Sequence, residues 1–157
     1  MTATADGKID MLRHTLATLA YRGGKALRGA PAEFASYGSR KPGEILAHVC
    51  DLFDWALTIA DGKEAWHNSQ PGAWDADMAR FFAALEAFDR RLASGAPLCV
   101  EPERLFQGPV ADALTHVGQI AMLRRMAGCA MSGENYFVAA IEIGRVGADQ
   151  AAPVKVF

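Results

Sequence analysis

Apolar residues recur every three to four positions along most of this chain. That period, near 3.6 and far from 2, confines it to helices that each bury one face. Ile9, Leu12, Leu16 and Leu19 mark the first stripe. Asp6 or Asp10 can cap its start, Gly23-Gly24 weakens it, and Gly29-Ala30-Pro31 ends it. Residues 30–42 read as a loop broken by Pro31, Gly38 and Pro42. A second helix is predicted from about Pro42 to Ala60: proline suits a first turn, Glu44 complements the positive end, and Asp61-Gly62 stops it. After a connection over 61–72 a third helix starts with Asp75 as its cap. It carries Met78, Phe81, Phe82, Leu85, Phe88 and Leu92, and stops at Ser94-Gly95-Ala96-Pro97. Residues 98–108 read as a loop, and a fourth helix follows from about Pro109 to Ala127.

Beyond Gly128 the period blurs. Tyr136 to Ile143 reads as a short helix or, from its β-branched content, a strand. The glycine- and proline-containing tail from Gly144 to Phe157 reads as an arm lying across the bundle surface. Four long helical patterns with no repeat or low-complexity tract give an all-α, up-and-down four-helix bundle with a C-terminal extension. Its 157 residues fit a single domain, with a core over about 9–130 and an arm over about 131–157.

Composition narrows the function classes. Hydrophobic residues are 51 % of the chain, enough for a packed interior. The net charge is −2 and Lys and Arg are scattered, so no basic stripe awaits nucleic acid. Cys50, Cys99 and Cys129 are odd in number and form no CxxC, which points to reduced thiols and a cytoplasmic setting. No apolar run reaches the ~18 residues of a membrane span, and the N-terminus lacks a signal-peptide pattern. The expectation is a soluble intracellular globule.

One residue breaks the helical pattern. On a wheel of helix two, Ile45, Leu46, Val49, Leu52, Phe53, Ala56, Leu57 and Ala60 fill an apolar arc. Asp51, Asp54 and Thr58 fall opposite, where solvent is expected. His48 joins the apolar side, near Leu52, Trp55 and Ile59. Taken alone it reads as a neutral core histidine bonded to a carbonyl. Helix four offers partners of another kind. Asp112 and His116 are four apart and stack on one face, with Gln119 continuing the stripe. Such a pair, with a histidine from a facing helix, is how bundles build metal sites. Two imidazoles and a carboxylate suit a divalent first-row ion, Zn, Ni, Fe or Mn, and leave positions open. The plainer alternative is an Asp112–His116 ion pair on a solvated face.

Other candidates carry less. His14 lies opposite its helix's apolar stripe, and His67 sits in a loop beside Trp66, at the surface or lining an entrance. Cys50 reads as packing. Trp55 and Gln119 are the candidate ligand-pocket residues beside the triad.

At these residues the chain resembles the DinB-like family, within a superfamily that includes metal-dependent thiol transferases. Gly43-Glu44-Ile45-Leu46-Ala47-His48 is similar to the family's second-helix segment with its metal histidine. His116-Val117-Gly118-Gln119-Ile120 is similar to its late-helix H-x-G-Q segment. The resemblance covers about residues 9–130. Family members usually carry three histidines; here His48 and His116 match, and Asp112 stands where the third is usual. The resemblance implies a metal at one end of the bundle and frequently a homodimer. It also implies attack of a low-molecular-weight thiol, as cosubstrate, on an electrophile. The alternative reading of the same pocket is a non-catalytic small-ligand-binding or stress-related sensor module.

Overall fold

The computed structural model describes residues 5–157. Helix α1 spans Ala5–Leu27, α2 Pro42–Ala60 and α3 Trp74–Ala93. A fourth helical run covers residues 102–126. It comprises a short α4 (Pro102–Leu105), a π-helical turn (Phe106–Val110) and α5 (Ala111–Met126). The protein is an all-α bundle of four packed helices, with no strand among the described residues. No helix among them is long and apolar enough to cross a membrane.

α2 has the bounds its sequence implies, with Pro42 in the first turn. Other boundaries differ, each for a physical reason. The fourth run starts at Pro102, seven residues before Pro109, because Pro102 is itself a good first-turn residue. Pro109, which has no N–H to continue an α-helix, sits inside the π-helical turn. Asp6 and Asp10 lie within α1, so neither is its cap. α3 starts at Trp74 behind Ala73, with Asp75 exposed in its first turn. It is Asp77 that reaches back, accepting from the Gly72 N–H at 2.7 Å. Between α1 and α2 a 3-10 turn, Ala32–Ser36, buries Phe34 edge-on to Trp74.

α1 runs through Gly23-Gly24 to Leu27 because the two glycines admit α3. A Cβ at Gly23 would lie 2.6 Å from the ring of Phe81, and one at Gly24 3.2 Å from Phe82. The helix then ends where Gly29 turns with φ +69°. Phe53, Phe81, Phe88, Leu16 and Leu85 fill the centre of the bundle.

Cross-helix contacts give the directions. Arg13 bonds Asp89 while Leu27 receives the Trp74 indole N–H, so α1 and α3 are antiparallel. Cys50 meets Asp77 and Asp54 meets Arg80, so α2 and α3 run the same way. His48 meets His116 while Leu52 and Trp55 face Gln107 and Gly108, so α2 and α5 are antiparallel. The order within the all-α bundle is up-down-down-up. A return connection makes this possible: residues 61–73 run back along α2, from Ala65 on Thr58 to Ser69 on Asp51 and Pro71 beside Gly43.

The C-terminal residues do lie on the bundle surface. Val146 is buried, the Ala148 carbonyl accepts from Arg28, and Glu134 pairs with Val156 in a single antiparallel bridge. Tyr136 to Ile143 holds a 3-10 turn, Tyr136–Val138, and is otherwise irregular. Glu134 anchors the segment, buried against the Tyr21 hydroxyl (2.7 Å) and Lys25 (2.6 Å). Arg124 secures α1, donating to the carbonyls of Ala26, Arg28 and Cys129.

Two glycines test this packing with opposite signs. At Gly23 an added methyl must displace a fully buried ring, an overpacking cost of about 1–3 kcal/mol that exceeds the helix-propensity gain of up to ~1 kcal/mol. Gly23→Ala is therefore expected to destabilise. At exposed Gly118 a Cβ meets nothing within 4 Å, so Gly118→Ala is expected to stabilise by about 0.5–1 kcal/mol. Urea unfolding of the two variants beside wild type measures both signs.

Candidate metal centre

His48 occupies the second turn of α2, and Asp112 and His116 the first turns of α5. Because the two helices are antiparallel neighbours, all three side chains meet. His48 Nε2 lies 3.3 Å from Asp112 Oδ2, and His116 Nε2 lies 3.4 Å from Asp112 Oδ1. The imidazoles stand edge to face with centroids 4.8 Å apart. One ligand atom from each residue lies within 4.8 Å of the other two. Burial is graded across the group: the His116 side chain is 12 % exposed, His48 30 % and Asp112 46 %. His48 is thus neither a sealed core residue nor a surface one.

Gln119 is fastened to this group. Its Oε1 lies 2.8 Å from His116 Nδ1, where the ring N–H donates to the amide oxygen. That bond turns the other nitrogen, Nε2, toward Asp112 as a lone pair, the usual way a second partner prepares an imidazole ligand. A lone pair facing a carboxylate needs a cation between them, either a proton or a metal ion. The spacing fits a metal. Bonds of about 2.0–2.1 Å at tetrahedral angles put neighbouring donors about 3.3–3.4 Å apart. Each nitrogen faces its own carboxylate oxygen, so Asp112 offers both.

Trp66 was not foreseen as part of the site. The return connection lays it edge-on to His48, with centroids 5.6 Å apart, and to Trp55 at 5.7 Å. Aperiodic loop sequence carries no signal for such a placement beyond the presence of a large aromatic beside His67. Trp55 stands at the other edge of the triad. Its indole N–H donates to Glu64, and with Leu52, Gln107, Gly108, Ala111, Asp112 and Thr115 it lines an open cleft of about 430 Å³. Gln107 and Gly108, expected in a loop, belong to the π-helical turn.

A second group, Asp51, Asp54 and His67, also brings three ligand-type atoms together. It corrects the expectation that Asp51 faces solvent, since the return connection lies over that side of α2 and leaves the carboxylate buried. Asp51 accepts from the Ser69 N–H (2.8 Å), the Ser69 hydroxyl (2.6 Å) and Arg80 (2.7 Å). Exposed His67 lies 3.0 Å from it. Arg80 also reaches Asp54 at 2.7 Å, so a guanidinium already supplies the positive charge between the carboxylates. The group is a clamp on the connection. Burial pushes the Asp51 carboxyl up, but the bonds from Ser69 and Arg80 outweigh it and hold it below the usual range. Cys50, buried with its thiol pushed up to about 12 by desolvation, is packing, as its sequence position implies. His14 is exposed, also as expected.

Comparison of the chain with protein-family models, with curated proteins and with solved structures finds no match. What stands is an all-α four-helix protein with His/Asp groups able to hold a metal ion.

Asp51 sets an acid limit. A carboxyl whose folded pKa is depressed stabilises the fold above its unfolded value, near pH 4, and that contribution is lost as pH falls through the folded value. Urea unfolding across this acid range is expected to show a falling stability that Asp51→Asn flattens. An unchanged slope in the variant would remove Asp51 from the acid response.

Proposed function

We propose that the chain is a metal-binding protein of the DinB-like kind, in which His48, Asp112 and His116 hold one divalent transition-metal ion. The observation that carries this is the triad itself: three ligand-type groups from two helices, with one imidazole already oriented by Gln119. The short segments around His48 and His116 support the family reading, and Asp112 is its departure. A carboxylate in place of an imidazole makes the site harder and more anionic, which favours Zn, Fe or Mn over a more nitrogen-selective ion.

The activity we infer is transfer of a low-molecular-weight thiol to an electrophilic carbon. A bound divalent ion would supply Lewis acidity that lowers the thiol's pKa and yields thiolate near neutral pH. The chain's own residues do the rest. His116 is held in register by Gln119, and Trp66 packs edge-on against His48. The open cleft beside Asp112 leaves room for the organic part of the molecule that the triad holds. The sulfur forms a C–S bond as chloride leaves an aryl or alkyl chloride. With an epoxide, the C–O bond opens and the oxygen takes up a proton. A second reading, ligand binding without turnover, is favoured by the exposure of Asp112, which leaves that edge of the triad open to water.

Elemental analysis of protein purified without chelator is expected to find a transition metal in the wild type that His48→Ala and His116→Ala both lose. Saturating metal at about 100 times its Kd is expected to add about 2.7 kcal/mol of stability to the wild type alone. Equal metal content in all three proteins, with no stabilisation, would return the triad to an ion pair.

Turnover is tested separately on the metal-loaded protein, with chlorinated aromatics and epoxides offered against several cellular thiols. Product formation that disappears in His116→Ala is expected. Silence across the panel, with ligand-dependent melting shifts retained, selects the binding module.

A further inference from the structure

The cleft beside the triad has a chemical character of its own. One wall is the ring of Trp55, whose only polar atom is committed to Glu64, with Leu52 buried beside it. The floor is Gly108 and Ala111, the smallest side chains available. At Gly108 a Cβ would meet nothing within 4 Å, so open space lies directly over the π-helical turn. Thr115, at the rim, turns its hydroxyl back to the Ala111 carbonyl at 3.1 Å. Two polar side chains then remain to greet a ligand, the Gln107 amide and the Asp112 carboxylate. Asp112 also belongs to the triad, so the cleft and the triad open into one another.

We propose that this cleft is a subsite for a flat, apolar group, an aromatic ring, on the small molecule whose polar end meets the triad. The proposal rests on reading His48, Asp112 and His116 as the ligand-binding end. The open cleft of about 430 Å³ accommodates a single ring, laid along the Trp55 indole with only Gly108 and Ala111 below it. An indole face stacks on another ring with a preference beyond area alone. Substrate choice therefore falls on the ring-bearing reactant, and the π-helical turn is what opens room for it.

The test fills the cleft without disturbing the fold. Gly108→Leu adds a side chain where a Cβ has no neighbour and φ is not in the left-handed region; Ala111→Leu fills the same space from the next turn. Benzyl alcohol, a ring with no metal-binding thiol, is titrated into metal-free wild type and both variants by saturation-transfer NMR. Binding to wild type, weakened at least about tenfold in each folded variant, is the expected result. No transfer to the ring in wild type, or the same affinity in a folded variant, overturns the subsite.

A second arm uses zinc-loaded protein. Phenylmethanethiol is expected to raise the melting temperature more than 2-mercaptoethanol, and Gly108→Leu to abolish the difference. Equal shifts by the two thiols with zinc bound sink the subsite and spare the metal site. Absence of zinc binding with benzyl alcohol binding intact sinks the metal site and spares the subsite.

Discussion

The buried carboxylate of Asp51 is the interaction on which the arrangement depends. It binds the backbone and hydroxyl of Ser69 and the Arg80 guanidinium at once, tying the return connection to α2 and α2 to α3. A carboxylate so buried is tolerable only because its oxygens are bonded and its charge is matched. With the connection pinned along α2, α3 begins beside the start of α2 and runs parallel to it. The parallel middle pair of the up-down-down-up order follows from this, while α5 packs antiparallel to α2 and brings Asp112 and His116 to His48.

The same clamp shapes the surroundings of the metal centre. Trp66 lies three residues before Ser69 on the pinned strand of chain, and it stands against His48 and Trp55. Next to Trp55 the π-helical turn around Pro109 leaves Gly108 bare. The triad is therefore bordered by an aromatic side chain and by an open cleft. The openness is graded, from nearly covered His116 to half-exposed Asp112.

The two His/Asp groups show why proximity of ligand atoms is not enough. Both collect three donors within bonding reach of one centre. At Asp51, Asp54 and His67 the centre is filled by Arg80, which neutralises the carboxylates and makes the group a fastening. At His48, Asp112 and His116 no side-chain cation intervenes among the described residues, and Gln119 directs an imidazole lone pair inward. The difference lies in what faces the donors, which only the packed bundle reveals.

The amino-acid order alone determined the helices and which face of each is buried, because a 3.6-residue apolar period leaves little choice of local structure. It also singled out His48, Asp112 and His116, since an imidazole on an apolar arc and a stacked i, i+4 pair are visible without coordinates. Tertiary structure decided the rest. The solvent-side expectation for Asp51 failed because a wheel sees one helix and not the connection that returns over it. The start of the fourth run at Pro102 was hidden because Pro109 reads as a boundary unless a π-helical turn absorbs it. Trp66 beside the triad and the open cleft over Gly108 arise from contacts between segments distant in sequence or from a local backbone departure. No periodicity encodes such contacts.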